Sequence, residues 1–387
     1  MSVSTHTTAI AATAEERAAA EELRAELRTV ARDLLAGLPA GDEDVAADGW
    51  ASFADAGWLG LEVPDELDGA GVGFAETAVV CQELGRAAAR APYLGTAVLG
   101  AGALLALAPG ETRDGWLRAL ATGAPRLALA LPTGDGAVGA PGALPFQLVA
   151  AAGGAWRVSG HADFVPDAAG AGTVLLLAAA PEGEPVLVAV EPGQPGVRIA
   201  DQPVLDVSRG LGTVTVADAT VGEVHRFGGD GQAAVRTLLA RGALALAVDS
   251  LGVAEAMLDA TVAYVGVRHQ FGRAIGSFQA VKHGCADMFV QVSVSRGLVA
   301  DAVGALAALG PGGLDGDLAA AEIAVSRAKS HVGGAAVDVA GRAMQLHGGI
   351  GYTWESGVHR FLKRAACNRA LFGSPTAHRA RLAHRFA

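Results

Sequence analysis

The sequence predicts an α+β protein in three parts. These are an N-terminal helical domain at 1–125, a middle antiparallel β-barrel domain at 126–228 and a C-terminal four-helix bundle at 229–387. Helical spacing of apolar residues gives way at Arg126 to short β-rich runs, and helical spacing returns after Phe227. With 387 residues, 51% of them hydrophobic, the chain is large enough for two or three domains.

The N-terminal part combines a polar tail with helical patterns. Residues 1 to about 14 predict a disordered Ser/Thr tail that lacks the basic and apolar segments of a signal peptide. Charges alternate with Ala and Leu at helical spacing from Glu15 to Leu35. Further helical patterns follow at 74–89, 96–107 and around 116–122. The glycine-rich stretch from Asp68 to Gly73 has no strand before it, so we interpret it as a loop rather than a phosphate site.

The middle part consists of short β-rich runs separated by Gly, Pro and Asp. The runs lie at 127–131, 146–150, 156–158, 174–177, 186–190 and 213–216. Regular short strands with turn signals between them predict a small antiparallel barrel or sandwich.

Two long helical patterns and the connector between them organise the C-terminal part. From Gln232 to Val267 the chain has no proline and little charge, which predicts a helix about 50 Å long that is buried on most faces. After the connector, apolar residues recur at spacings of three and four, as in a bundle helix. A third bundle helix is predicted from about Asp317 to Leu346. The connector holds two arginines, two glycines and a surface Phe, a composition that favours an anionic ligand.

Charge and cysteine content limit the partners and the compartment. The net charge is −11 without a basic run, which argues against nucleic acid and anionic membranes as partners. The apolar runs at 174–177 and 186–190 are too short to cross a bilayer. Three scattered cysteines, Cys81, Cys285 and Cys367, predict no disulfide framework and a reducing cytoplasm, and Cys285 lies on an apolar helical stripe.

The connector and the helix after it read Arg-x-x-Phe-Gly, then Phe-Gln, then Ala-Asp-Met. The residues are Arg268, Phe271, Gly272, Phe278, Gln279, Ala286, Asp287 and Met288. In this order they resemble the flavin-binding signature of the acyl-CoA dehydrogenase family. The stretch Gln345–Glu355 resembles a second family signature, in which glycines after a helix let backbone approach a large ligand. Matches at 57–64, 160–168 and 206–209 extend the resemblance over roughly 15 to 387, and it implies the family's three-part fold.

The resemblance implies FAD as cofactor and assigns residues to it. Arg268 is expected to pair with the pyrophosphate, since its fork matches phosphate oxygens. The expected neighbours are Gln270, Phe271 and Gln279, with Gln345, Gly348 and Gly349 supplied by a neighbouring subunit and the backbone of Phe164 and Val165 against the flavin ring. The family usually has Trp where this chain has Phe164. The family's acidic and Gly-Ser-Asp elements are replaced by Leu131–Gly136, so side-chain contacts from that loop are not expected.

The implied reaction is α,β-dehydrogenation of an acyl-CoA thioester. A carboxylate in a dry pocket takes the α proton, and the flavin takes a hydride. The implied partners are acyl-CoA, an electron-accepting flavoprotein and further subunits in a dimer or tetramer, with no metal. The family places the catalytic glutamate at one of two positions, which here hold Phe372 and Gly242. Neither residue can abstract a proton, so the catalytic residue is left unassigned.

Three explanations stay open for the missing base. Asp249 lies about two turns after Gly242 and, if buried, would have a raised pKa; alternatively, it pairs with an arginine, which we regard as the better interpretation. The chain is otherwise the partner of a related, base-carrying subunit, or it serves another flavin reaction. A flavin-free structural or regulatory subunit is the alternative class. The homomer is expected to be weak or inactive, and Phe372→Glu to raise turnover if the pocket is otherwise intact.

Overall fold

The computed structural model describes residues 14–37, 47–124, 126–135, 138 and 144–386. The predicted N-terminal tail lies outside these residues apart from Ala14, where the first helix begins. The helices are α1 Ala14–Ala36, α2 Ala47–Asp55, α3 Phe74–Ala87, α4 Ala101–Ala106, α5 Glu111–Ala121, α6 Gly231–Val267, α7 Gln279–Ala307, α8 Leu318–His347, α9 Val358–Ala370 and α10 Pro375–Phe386.

The N-terminal helices form the predicted helical part. A π-helix over Leu94–Gly100 runs directly into α4, so the pattern predicted at 96–107 is one continuous helical segment with two windings. Ion pairs fasten α1 to α3, among them Arg24 to Glu76 at 2.9 Å and Arg32 to Glu83 at 2.9 Å. The acidic partners are buried, whereas the arginines are partly exposed.

The middle part is one sheet of eight strands. They are β1 Leu127–Ala130, β2 Phe146–Ala150, β3 Trp156–Pro166, β4 Thr173–Ala179, β5 Pro185–Val190, β6 Val197–Asp201, β7 Leu211–Val221 and β8 His225–Arg226. Their order is β6-β7-β3-β2-β4-β5-β8, with β1 beside β4. The sheet is mainly antiparallel, but β4 pairs in parallel with both β1 and β2. Those two pairings depart from the predicted all-antiparallel barrel, because each joins strands whose connection passes through other elements.

The C-terminal part is helical, as predicted. Helices α6 and α8 pack on each other, on α7 and on α9, and α10 packs on α8. The Asp230 side chain caps α6 by accepting from the Gln232 N–H at 2.9 Å, and Asp317 caps α8 by accepting from the Ala320 N–H at 2.9 Å. Successive long helices α6, α7 and α8 alternate in direction. The C-termini of α6 and α8 and the N-terminus of α7 therefore meet at one end of the bundle.

Helices α6 and α7 are long and apolar enough to cross a membrane by length and composition alone. The most apolar window of α6 is completely buried inside the protein, which is the behaviour of a core helix and agrees with the burial predicted on most faces. The corresponding window of α7 is only 28% buried. Its exposed side includes Phe289, Val290 and Val294.

Candidate functional site

The predicted flavin loop forms a small hairpin at the end of the bundle. Strands β9 His269–Gln270 and β10 Arg273–Ala274 pair antiparallel, with the turn at Phe271 and Gly272 in left-handed backbone. The Ile275 N–H donates to the Arg268 carbonyl at 2.8 Å and closes the hairpin. Phe271 is 90% exposed, so the hairpin presents an aromatic ring to solvent.

The turn Gly348–Tyr352 lies at the same end of the bundle as this hairpin. The rings of Tyr264, near the end of α6, and His347, at the end of α8, stack with centroids 4.5 Å apart. This contact brings the two family signatures together within one chain. Gln345, Gly348 and Gly349 share one bundle end with Arg268, because α6 and α8 run in the same direction. The expectation that these residues contact FAD of a neighbouring subunit stays a prediction.

This bundle end, hereafter the open half-site, has features that could hold an anionic nucleotide. The Arg268 side chain is exposed and makes no hydrogen bond or ion pair with the described residues. Helix α7 begins at Gln279, and its first N–H groups give a partial positive charge that favours phosphate. An added Cβ at Gly272, Gly348 or Gly349 would meet no atom within 4 Å, so a ligand can approach these backbones closely.

Phe164 and Val165 lie elsewhere, near the end of β3. Phe164 has a φ of 55° and is 42% exposed, whereas the Val165 side chain is fully buried and can offer only backbone. The Phe164 N–H donates to the side-chain oxygen of Gln202 at 2.7 Å. Within the described part of the chain, no hydrogen bond, ion pair or ring contact joins Phe164 or Val165 to the open half-site. Gln202 was not singled out by sequence, since only the fold brings it to Phe164.

The two positions expected for a catalytic glutamate touch each other. A Cβ added to Gly242 would lie 2.4 Å from Cε1 of Phe372, so the phenyl ring rests directly on the glycine of α6. Phe372 is 2% exposed and has a φ of 54°, in the left-handed region that bulky residues rarely adopt. An apolar ring thus occupies the space that either carboxylate would need.

Residues 131–135, which follow β1, pack against Phe372, and this region is called the sealed pocket below. The Phe372 N–H donates to the Thr133 carbonyl at 2.6 Å, and the Ser374 N–H donates to Asp135 Oδ1 at 2.6 Å. Val138 joins Phe372 in the lining of the remaining cavity, which measures only about 10 Å³. That volume is close to the minimum for one water molecule, so an acyl chain does not fit without rearrangement.

A buried histidine supports the sealed pocket from below. His378 Nε2 donates to the Phe372 carbonyl at 2.9 Å, and its Nδ1 lies 3.2 Å from Ser326 Oγ. Burial lowers the pKa of His378 to about 4, and the nearby positive charge of Lys329 acts in the same direction. His378 is therefore neutral near pH 7. Sequence reasoning missed this residue because a lone histidine in a C-terminal helix carries no local signal.

Asp249 is not a free base. Its carboxylate accepts from Arg364 Nη2 at 2.6 Å and from Asn368 Nδ2 at 2.6 Å, and it forms an ion pair with Arg209 Nη2 at 2.7 Å. Burial alone pushes the pKa of Asp249 up, but the charges of Arg209 and Arg364 and the hydrogen bonds outweigh it, and the pKa lies below its usual value. The raised pKa suggested for Asp249 is thus wrong, and the arginine-paired interpretation is correct.

The described residues contain no cluster of three or more His, Cys, Asp or Glu side chains suited to a metal. Cys81, Cys285 and Cys367 are free thiols. Cys285 is only half-buried, whereas Cys81 is buried and has a pKa raised to about 12 by burial.

Comparison with known proteins matches this geometry to one family. The N-terminal domain model of acyl-CoA dehydrogenases matches residues 13–124, and the C-terminal domain model matches residues 229–387. Acyl-CoA dehydrogenase IpdE2 of Mycobacterium tuberculosis is 33% identical over 323 residues, which cover 82% of this chain and 80% of the relative. Acyl-CoA dehydrogenase FadE27 of the same organism is 31% identical over 347 residues, covering 87% of each chain.

Two solved structures of paired proteins resemble the whole fold. The steroid acyl-CoA dehydrogenase Tcur3481-Tcur3483 has a TM-score of 0.79 at 29% identity, covering 95% of this chain and 98% of that one. The ChsE4-ChsE5 complex of Mycobacterium tuberculosis has a TM-score of 0.78 at 28% identity, covering 97% and 98%. The chain belongs to the acyl-CoA dehydrogenase family. FAD is the cofactor of this family, and the structural neighbours include one in complex with FADH2 and one complexed with FAD.

Proposed function

We propose that this chain is a subunit of an FAD-dependent acyl-CoA dehydrogenase in which a related subunit supplies the catalytic carboxylate. The observation that carries the proposal is the contact between Phe372 and Gly242, which excludes a carboxylate from both expected positions. The paired composition of the ChsE4-ChsE5 complex supports it, since the chain is similar to that structure over nearly its full length.

In this proposal the open half-site binds the diphosphate part of an FAD molecule whose ring lies against the other subunit. Arg268 pairs with the phosphates, the start of α7 adds its dipole, and the glycines after α8 admit the nucleotide. Gln270, Phe271, Gln279 and Gln345 border the same surface. When bound, FAD accepts the hydride from the β carbon of the acyl-CoA.

Two features of this chain, at Phe164 and at Phe372, support placing the flavin ring and the catalytic base on the partner subunit. Gln202 already occupies the Phe164 N–H, and the cavity beside Phe372 is too small for an acyl group. The role of the sealed pocket is accordingly structural, and the α proton goes to the partner's carboxylate. Electrons leave through a flavoprotein acceptor, as in the family.

The test compares the chain alone with the chain co-produced with a family member from the same genome that carries a glutamate at the position of Phe372. We expect the mixed oligomer to be yellow, to hold about one FAD per pair of chains and to reduce an artificial acceptor with acyl-CoA. The chain alone is expected to show no turnover. Rapid turnover by the purified homomer would overturn the proposal.

A flavin-free structural subunit is the second candidate. The hydrogen bond from Phe164 to Gln202 favours it, because that N–H is not available to a flavin in this structure. A colourless chain that co-purifies with an active subunit, and whose Arg268→Ala variant leaves FAD content unchanged, would establish this candidate over the first.

A further inference from the structure

A groove on the other side of the core is separate from both regions described above. It lies among α1, α3, α6 and α7 and encloses about 580 Å³, within the usual range for small-molecule sites. It shares no lining residue with the cavity beside Phe372 or with the open half-site.

The floor of this groove is apolar. Val79 of α3, Val248 and Leu251 of α6, and Val299 of α7 line it, and each is at most 6% exposed. Alanines of α3 and α7 complete the lining. Binding a hydrocarbon chain on such a surface is favourable, because it removes apolar area of both the chain and the protein from water.

The rim of the groove is cationic. Five arginines line it: Arg24, Arg28 and Arg32 at intervals of four along α1, Arg86 of α3 and Arg296 of α7. Four carboxylates pair with them: Glu76, Glu83, Glu255 and Asp259. Glu76, Glu83 and Glu255 are nearly buried beneath the guanidinium groups. The rim has one cation more than it has carboxylates, and of the carboxylates only Asp259 is exposed.

Arg28 is the cation with the weakest partner. Arg32 occupies Glu83 with two hydrogen bonds, of 2.9 Å from Nε and 3.0 Å from Nη2. Arg28 Nε lies 3.6 Å from the same carboxylate, beyond hydrogen-bond distance, and this is its one polar contact with the described residues. Its donors are available to a ligand, and its side chain is 37% exposed.

We propose that this groove binds a single-chain anionic amphiphile. The hydrocarbon chain lies on the apolar floor, and the head, a carboxylate or a phosphate monoester, is held by Arg28 with the neighbouring guanidinium groups. Charge-assisted hydrogen bonds to such heads are the strong class, and the guanidinium fork suits both heads. The site is independent of flavin binding.

The experiment is calorimetric titration of the full chain with dodecanoate and with dodecyl phosphate, each below its micelle concentration. Dodecanol supplies the chain without the charge, and inorganic phosphate supplies the head alone. We expect one or both anions to bind at one site per chain, and their relative affinity identifies the preferred head. Dodecanol and inorganic phosphate are each expected to bind at least tenfold more weakly than the preferred anion. Absence of binding by both anions, or equal binding of dodecanol, would overturn the proposal.

Two substitutions place the ligand in the groove. Arg28→Gln is expected to weaken binding about tenfold or more, whereas Arg157→Gln, on the distant sheet, leaves it unchanged. Ala300→Glu puts a carboxylate on an exposed position of the groove wall and is expected to abolish binding, while the isosteric Ala300→Gln retains it. Unchanged affinity in both Arg28→Gln and Ala300→Glu would locate the ligand elsewhere. FAD content, measured on the same samples, is expected to stay constant and separates this result from the flavin proposal.

Discussion

Phe271 in the open half-site and Phe372 in the sealed pocket have the same residue type and the same left-handed backbone, with φ of 54° in both. They differ in exposure: Phe271 is 90% exposed and Phe372 is 2% exposed. Both backbones are of the strained kind that clusters at functional sites. The comparison teaches that the same backbone conformation can occur in an open site and in a filled one. The packing of the side chain decides whether a ligand can enter.

The two regions also differ in how their polar groups are used. In the open half-site Arg268 is unpaired among the described residues, and the glycines face empty space. In the sealed pocket the N–H groups of Phe372 and Ser374 are bonded to the loop after β1, and His378 holds the Phe372 carbonyl. The polar groups of the open half-site are available to a ligand, whereas those of the sealed pocket are already hydrogen-bonded within the protein.

The largest effect separating the two regions is expected in catalysis. In the mixed oligomer, replacing the partner's glutamate by glutamine should lower turnover about 10²–10⁴-fold, the usual contribution of a general base. Phe372→Glu in this chain should not restore turnover to the homomer. The sequence alone predicted a gain if the pocket were intact, but the cavity of about 10 Å³ does not admit the substrate. The measurement is acceptor reduction across several acyl-CoAs.

A gain of turnover by the Phe372→Glu homomer would break the comparison, because it would show that the sealed pocket opens. Circular dichroism of the variant is the accompanying control for folding.

The next largest effect concerns the ion network that adjoins the sealed pocket. Asp249→Ala leaves the guanidinium groups of Arg209 and Arg364 buried without their carboxylate, which should lower the free energy of unfolding by about 3–5 kcal/mol. Urea denaturation followed by circular dichroism measures it. Asp218→Ala is the matched control, since Asp218 pairs with Arg157 at the exposed surface, and little change is expected. A small loss for Asp249→Ala would mean that the network is not held as the structure shows.

A third effect depends on pH and on His378. Its folded pKa of about 4 lies below the ordinary 6.5, so the unfolded chain binds more protons between these values. The part of the free energy of unfolding that is linked to His378 is therefore fully present above pH 6.5. It is lost as the pH falls towards 4, by about 3 kcal/mol in total. His378→Gln should not show this decrease in the free energy of unfolding at acid pH. His384→Gln, at an exposed site, should show it as the wild type does. Identical pH profiles for wild type and His378→Gln would contradict the assignment.

The smallest effect is expected in the open half-site. Arg268→Ala should weaken FAD binding to the mixed oligomer about 10–100-fold, the range for losing charged hydrogen bonds to phosphate. Arg268→Lys should recover only part of the loss, because an ammonium lacks the fork. Arg273→Ala is the control: its guanidinium stacks on Phe278, with 4.0 Å from Cζ to the ring centroid, rather than standing free. Equal loss for both alanine variants would mean that general charge, not Arg268, holds the cofactor.

The backbone features of the open half-site could be read from the sequence because they are local. The Arg268 hairpin and the glycines after α8 are short segments, and the backbone conformation of each depends on consecutive residues. That they share one end of the bundle follows from helix direction, which the sequence prediction did not use. Their assignment to FAD rests on the family and stays a prediction for this chain.

The sealed pocket could be predicted only in part. The sequence showed that neither position 372 nor position 242 holds a carboxylate, but the contact joins α6 to the turn between α9 and α10, which lies far away in the chain. The partners of Asp249 come from the middle domain and from α9, so its lowered pKa depends on how the middle domain packs on the C-terminal part. Gln202 reaches Phe164 only because β6 and β3 flank β7 in the sheet.

The ring of Phe372 on Gly242 has an evolutionary consequence. A lineage that returned a glutamate to position 242 would force its Cβ to 2.4 Å from the phenyl ring, and one that returned it to position 372 would bury a carboxylate beneath the loop after β1. Each substitution alone therefore carries a steric or burial cost, and relieving that cost requires a change in a different segment. Placing a base in this chain therefore takes coordinated changes in two segments, which under the proposed pairing favours continued use of the partner subunit's carboxylate.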